Sequence, residues 1–351
     1  MDDMRDDNAV LDSVKDYYGK VLKSSADLKT SVCCLNEALP LHVREALQDI
    51  HPEVLARFYG CGSPIPPALE GATVLDLGSG SGRDCYVLAK MVGPAGRVIG
   101  VDMTDEQLAI ARKHLDWHAE KLGYANVEFR TGYIEDLATA GIADSSIDLV
   151  VSNCVLNLSP DKQRVFSEIF RVLKPGGELY FSDVFSDRRI PQCLAEDPVL
   201  LGECLGGALY TEDFRRMLNH VGCADSRVVV SGPLGINNSE IERMAGHIRF
   251  TSSTVRAFKL ALEDRCEDYG QVATYLGSEQ NNPHFFLLDD HHRFETGKPM
   301  LVCGNTADMI VGTRYAKHFK VSARGAHFGL FDCGPSPSGV AATDASSGAC
   351  C

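Results

Sequence analysis

The stretch VLDLGSGSGRD sets Gly78, Gly80 and Gly82 at alternate positions, with Ser79 between the first two and an acid, Asp76, just ahead of them. Glycines spaced this way permit a tight turn and let backbone N–H groups approach a ligand at the start of a helix. Glycine loops also serve as plain connectors, so the spacing alone is a weak signal. Two details sharpen it. A dinucleotide fingerprint wants its third glycine at position 83, where the chain has Arg83. Asp76 suits a cationic ligand better than a pyrophosphate. Asp102, with Met103 beside it, follows the loop by about 20 residues, the spacing of an acid that grips a ribose hydroxyl pair. Together these residues fit a positively charged nucleoside.

Thiols are the second source of chemistry. SNCVLN carries Cys154 next to Asn153, GECLGGALY carries Cys204 beside Gly206 and Gly207, FYGCGSP carries Cys61, and SVCC carries Cys33 and Cys34. Taken alone, Cys154 reads as a small buried hydrophobe. A thiol orients hydrogen bonds poorly, yet once deprotonated it is a strong ligand for soft thiophilic centres. Several thiols in loops able to converge on one cleft edge are not what core packing generates. Their spacing is not that of a zinc finger either.

Elements of a particular kind must position these groups. From about residue 72 the pattern alternates strand (TVLDLG, RVIGVDM, NVEFRTG, SIDLVVSN, ELYFSDV) and helix (DCYVLAKMV, TDEQLAIARKHLDWHAEKLG, DKQRVFSEIFRVL). Strands separated by helices of this length pair in parallel through right-handed crossovers, which predicts an α/β fold with a doubly wound sheet. Ligands of such sheets bind outside the carboxyl ends of the strands. There the chain offers the glycine loop, Asp102, Ile134 and Glu135 in GYIEDL, and then Asn153 and Cys154. The long helix is expected to run unbroken from an N-cap at Thr104. Segments beyond about residue 235, such as HIRFTSSTVRAFKL and QVATYLG, read as antiparallel strands. The expected organisation is a thiol-bearing helical arm (1–60), a ligand-binding domain (61–232) with a flap at about 185–222, a small α+β domain (233–333) and a disordered tail (334–351) ending in Cys350 and Cys351.

Bulk properties exclude several classes. The chain has 351 residues, 44% of them hydrophobic, enough to build real cores. Its 34 basic and 48 acidic residues give a net charge of −14, which argues against nucleic acid or an anionic membrane as the main partner. The acidic start MDDMRDDNAV fits neither a signal nor a transit peptide, and no apolar run reaches the roughly 18 residues of a membrane span. A cytoplasmic protein is expected. Thirteen cysteines is an odd number without any C-x-x-C, and reduced thiols are the default in that compartment. Cys85, Cys193, Cys223, Cys266, Cys303 and Cys333 read as structural or incidental. The run DDHH, Asp289 to His292, reads as a solvated turn. Tyr17 and Tyr18 serve packing or a lid.

D-x-G-x-G-x-G with a ribose acid resembles the S-adenosylmethionine loop of class I methyltransferases, which have a Rossmann-like fold and an adenine contact where Ile134 and Glu135 stand. A closer resemblance follows. YYGKVLKSSADLKTSVCC, RFYGCG, VLDLGSGSGRDCYVLAK, VSNCVLNL, GGELYFSDV and GECLGGALY are similar to the arsenite S-adenosylmethionine methyltransferases, from about Tyr17 to Tyr210. That resemblance implies S-adenosyl-L-methionine as methyl donor and arsenic(III) held at Cys154 and Cys204 with Cys61. It also implies a fourth functional thiol at Cys33, where the neighbouring Cys34 leaves the choice open. Arsenite, methylarsenite or their glutathione conjugates would be substrates. A disulfide between cysteines such as Cys33 and Cys61 would supply electrons, reset by a thiol reductant, thioredoxin or glutathione. Two rivals remain: a small-molecule C- or O-methyltransferase, and a non-catalytic thiol sensor or buffer for metalloids.

Overall fold

The computed structural model describes residues 7–22, 39–60 and 62–333. Cys33, Cys34, Cys61 and the segment 334–351 lie outside the described residues. The chain enters through α1 (Asp7–Asp16), followed by a wide π-type turn at Tyr17–Val21, and then α2 (Leu41–Leu47) and α3 (Pro52–Leu55). Strand and helix then alternate: β1 (Thr73–Leu77), α4 (Arg83–Val92), β2 (Arg97–Asp102), α5 (Asp105–Lys113), α6 (Leu115–Leu122), β3 (Val127–Thr131), β4 (Ile147–Asn153), α7 (Lys162–Val172) and β5 (Leu173–Ser186). A connecting region follows, with α8 (Gln192–Ala195), α9 (Pro198–Gly202), β6 (Leu209–Tyr210) and α10 (Thr211–His220), before β7 (Ser226–Pro233), α11 (Ser239–Ala245) and β8 (Phe250–Phe258).

These strands form one sheet in the order β3-β2-β1-β4-β5-β8-β7, with β6 paired to β5 off that path. β1 to β5 run parallel, and β8 runs antiparallel to both β5 and β7. Side-chain alternation sends Leu75 and Leu77 to one core and Val74 to the other, so the sheet is covered on both faces. The order reverses between β1 and β4. That switch point opens the crevice in which doubly wound sheets hold ligands, and it lies between the glycine loop and Cys154.

Three expectations need correction. HIRFTSSTVRAFKL supplies β8, which pairs with β5 over nine residues inside the main sheet, so that segment is not part of a separate layer. Its almost unbroken burial is what a strand covered on both faces requires. The helix expected to start at Thr104 breaks at His114, whose backbone (φ −107°, ψ 11°) leaves the helical region. There the ring stacks on His51 at 3.7 Å and bonds Glu53, a tertiary contact that overrides helical periodicity. The DDHH run is not solvated throughout: Asp289 and His292 are buried against each other, and Asp289 accepts from Arg227.

Beyond β8 come β9 (Glu267–Asp268), β10 (Gln271–Tyr275), β11 (Phe285–Leu287), β12 (Arg293–Glu295), β13 (Pro299–Val302), α12 (Gly304–Val311), β14 (Phe319–Val321) and β15 (Gly329–Leu330). A three-stranded antiparallel sheet, β13-β10-β14, carries its own aromatic core around Tyr275, Phe286, Phe294 and Tyr315. That core is tied to the main sheet by buried charge. Glu178 of β5 and Arg256 of β8 face each other at 3.1 Å, and Glu178 Oε2 forms an ion pair with Arg314 at 2.6 Å and accepts from the Tyr315 hydroxyl at 2.8 Å.

Candidate active site

β1 delivers Asp76 and ends at Leu77; the loop then turns through Gly78, Gly80 and Gly82, all at positive φ. At Gly78 any side chain would also collide with Val155, since a Cβ there comes within 2.4 Å of it, so glycine is what lets the two loops meet. A Cβ at Gly80 would meet nothing within 4 Å, and the Gly80 N–H donates to Asp102 Oδ2 at 2.8 Å. The Thr104 N–H donates to Asp102 Oδ1 at 2.7 Å. The Thr104 hydroxyl and the Met103 N–H act on the same carboxylate. Burial raises the Asp102 pKa, and these backbone donors counter it.

Asp76, Asp84 and Asp102 are all buried at the cleft. Burial first, and then repulsion from Asp84, push the Asp76 carboxyl up to about 8. Arg83 pairs with Asp84, while among the described residues Asp76 accepts only a weak bond from the Cys85 thiol at 3.2 Å. The Ser79 hydroxyl is buried with no hydrogen-bond partner among the described residues. An unbalanced acidic wall, an orphaned hydroxyl and an open glycine cradle fit a cationic nucleoside such as S-adenosylmethionine.

Met103, Ile134 and Glu135 line the same cleft as the loop, and Glu135 accepts a hydrogen bond from Ser159. Gly82 does not line the cleft. Its left-handed backbone (φ 88°) starts α4, and a Cβ there would strike Phe129 at 2.6 Å. Asn153, which ends β4, is engaged more than a cofactor contact requires. Its amide accepts from the Gly62 N–H at 3.1 Å and donates to the Gly62 carbonyl at 2.9 Å and to Asp84 at 3.0 Å. It therefore holds the loop before β1 against the end of β4.

Cys154 follows β4 directly, and Cys204 follows α9 in the region expected to form a flap. Both are buried, and both adopt positive φ, 56° and 62°, a conformation non-glycine residues rarely hold. Cys154 lines the cleft; Cys204 sits behind it, away from the cleft wall. The two sulfurs and a carboxylate oxygen of Asp183 lie within 4.8 Å of one another. Cys154 is disulfide-bonded, and among the described residues no cysteine is its partner. The close backbone approach expected of the flap glycines is present, since a Cβ on Gly207 would come within 1.9 Å of the Asn157 carbonyl oxygen.

Sequence reasoning missed Asp183 and Glu203. Asp183 is fully buried, accepts from Asn157 and Val184, and is pushed up to about 7 by burial. Its place near the carboxyl end of β5, in FSDV, is the signal that could have found it. Glu203, also fully buried, accepts from the Tyr17 hydroxyl at 2.9 Å, while the Tyr18 hydroxyl donates to the Gly202 carbonyl at 2.8 Å. Gln107 of α5 holds the Tyr18 carbonyl at 3.0 Å. The N-terminal arm therefore joins the flap to the cofactor side of the cleft.

Residues 69–222 match a methyltransferase domain family. An arsenite methyltransferase of Aquipseudomonas alcaligenes is 56% identical over 326 residues, covering 92% of this chain and 94% of its own. The arsenite methyltransferase of Homo sapiens is 45% identical over 321 residues, covering 90% of this chain and 84% of its own. The crystal structure of an arsenic(III) S-adenosylmethionine methyltransferase from Chlamydomonas reinhardtii superposes with a TM-score of 0.81 at 53% identity, covering 84% of this chain and 100% of that one.

Proposed function

This chain belongs to the arsenite methyltransferase family, and from that premise we infer how its own residues divide the work of moving a methyl group from S-adenosylmethionine to trivalent arsenic. The single observation that carries the assignment of roles is the pair of cysteine sulfurs, Cys154 and Cys204, within 4.8 Å of each other at the switch point of the sheet, with Cys154 on the wall of the cleft. The bound donor supplies an activated methyl on a positively charged sulfur. Asp102 receives the ribose hydroxyls, Asp76 faces the positive charge, Ser79 gains a partner, and Ile134, Glu135 and Met103 flank the base.

Each thiol replaces one hydroxyl of arsenite and releases one water, so arsenic stays trivalent and keeps its lone pair. Cys61 supplies the third thiol in this reading. The lone pair has no proton to lose, so no general base is needed, and the chain's task is to orient it and exclude water. Cys204 is buried behind Cys154, so arsenic enters through the cleft as the flap opens. Arsenic is formally oxidised when it takes the methyl, and two electrons must return. A pair such as Cys33 and Cys61 provides them by closing a disulfide, which thioredoxin or glutathione then reduces. Cys154 must likewise be a free thiol before it can take arsenic.

Mono- and dimethylated arsenicals are the expected products, with arsenite and methylarsenite, free or as glutathione conjugates, as substrates. The acidic chain, in which no helix among the described residues is long and apolar enough to cross a membrane, agrees with a cytoplasmic enzyme. The test is arsenic speciation after incubation with arsenite, S-adenosylmethionine and a thiol reductant. Methylated arsenic that vanishes in Cys154→Ser supports these roles; a Cys154→Ser enzyme at native rate removes them.

A further inference from the structure

Far from the cleft in sequence, Cys266, Cys303 and Cys333 place their three sulfurs within 4.8 Å of one another. All three are free thiols, and none lines the cleft that holds Asp102 and Cys154. They come from three separate segments. Cys266 immediately precedes β9, Cys303 caps the N-terminus of α12, and Cys333 lies just past β15. Antiparallel pairing of β9 with β15, extended by the Phe331 N–H donating to the Cys266 carbonyl at 2.8 Å, keeps the two outer segments side by side. Cys303 is fully buried beneath them.

A fixed cation faces two of the three sulfurs. Arg227 Nη2 stands 3.9 Å from the Cys266 sulfur and 3.8 Å from that of Cys303, fixed by Asp225 and Asp289. Cys266 also opens on a surface cavity shared with Cys223 and Asp225, which provides a route in. Reading these cysteines one at a time as incidental overlooks what the fold brings together.

We propose that Cys266, Cys303 and Cys333 form a second site for trivalent arsenic, held by three thiolates and separate from the methyl-transfer site. The identity of the ligand rests on the arsenic reading above; the ligand set does not. One arsenite and three thiols give a trithiolate and three waters, with arsenic trivalent throughout and no electrons exchanged. Three sulfurs and a lone pair complete arsenic's valence. Zinc would call for a fourth donor, which the cluster lacks among the described residues. Arsenic bound here would be out of the methyl donor's reach. It would also staple the chain before β9, the start of α12 and the exit of β15 to one another.

The test uses the full chain with Cys33, Cys34, Cys61, Cys154, Cys204, Cys350 and Cys351 replaced by serine, reduced and then mixed with arsenite alone. Gel filtration should leave arsenic equimolar with chain, X-ray absorption should show a shell of three sulfurs, and the melting temperature should rise. Adding Cys303→Ser should abolish all three effects, because serine still caps α12 but does not ligate arsenic. In an otherwise native chain, Cys303→Ser should leave methylation at saturating arsenite unchanged. This separates failure of the second site from failure of the catalytic reading. Arsenic that survives Cys303→Ser, a shell containing oxygen, or no retained arsenic in the seven-serine background overturns the proposal.

Discussion

The Cys204 thiol donates to the carbonyl oxygen of Cys154 at 3.2 Å, and both residues hold left-handed backbone to make that meeting possible. Strained backbone of this kind costs on the order of 1–3 kcal/mol per residue and persists only where surrounding structure fixes it. Here the fixing comes from two sides. Cys154 N–H donates to Ser182 of β5, and the Cys204 segment is clamped by bonds from Gly206 and Leu205 to the Leu200 carbonyl. The two sulfurs are therefore held close together, and in the proposed role reduction of Cys154 leaves both free for a shared ligand.

Cys204→Ser changes sulfur for oxygen with almost no change in shape. Loss of groups that merely support a metal ligand costs about 10–100-fold, so loss of a ligand itself should lower arsenic methylation by about 100-fold or more. The melting temperature should stay close to that of the native chain, and so should S-adenosylmethionine affinity. An active Cys204→Ser enzyme would remove the thiol pair from the mechanism.

Asp76 gives the cofactor site a pH signature. Its folded pKa of about 8 lies above the value near 4 expected in the unfolded chain. Between those values the folded chain keeps a proton that the unfolded chain has lost, so ligand-free stability falls as pH rises through that window. Asp183, raised to about 7, acts in the same direction. A cationic ligand favours the Asp76 carboxylate. Binding of S-adenosylmethionine near neutral pH should then release a proton and tighten with pH until about 8. Calorimetry in buffers of different ionisation enthalpy reads this directly, and Asp76→Asn should remove the buffer dependence while weakening binding. Equal heats in all buffers for the native chain would refute it.

Glu178 joins the C-terminal core to the main sheet, facing Arg256 while pairing with Arg314 and accepting from Tyr315. Glu178→Gln leaves the fully buried Arg256 guanidinium without its counterion, a change that typically costs about 3–5 kcal/mol. The denaturation midpoint should drop accordingly, whereas activity per folded molecule should not. A midpoint within error of the native chain would show that the buried ion pair is not an anchor.

How much of this is legible in the sequence depends on the range of the interactions. The parallel sheet, the glycine loop and Asp102 are readable because local periodicity and spacing encode them. The break at His114 is not, because its cause is a ring and a carboxylate on α2's and α3's side of the chain, His51 and Glu53. β8 reads as an ordinary antiparallel strand, and nothing local says that it inserts between β5 and β7. Cys154 and Cys204 stand out by their contexts. Cys266, Cys303 and Cys333 look ordinary until three segments are folded onto one another.

Gly207 offers the sharpest separation of the two halves of the site. A Cβ there would lie 1.9 Å from the Asn157 carbonyl oxygen, a backbone atom that cannot swing aside as a side chain would. Asn157 is itself fixed, because its amide donates to Asp183 at 2.7 Å and to the Val184 carbonyl at 2.7 Å, all fully buried. In Gly207→Ala the flap must therefore yield, carrying Cys204 away from Cys154. Overpacking of this kind costs about 1–3 kcal/mol, so the chain should still fold. The cofactor loop lies on β1 and does not touch Gly207. S-Adenosylmethionine affinity should be unchanged while arsenic affinity and methylation fall together by about tenfold or more, since a displacement of the thiol pair worth about 1.4 kcal/mol already amounts to that factor. Titrating the variant with each ligand separately measures the two affinities independently. Equal loss of both would mean that the flap and the cofactor loop move as one body.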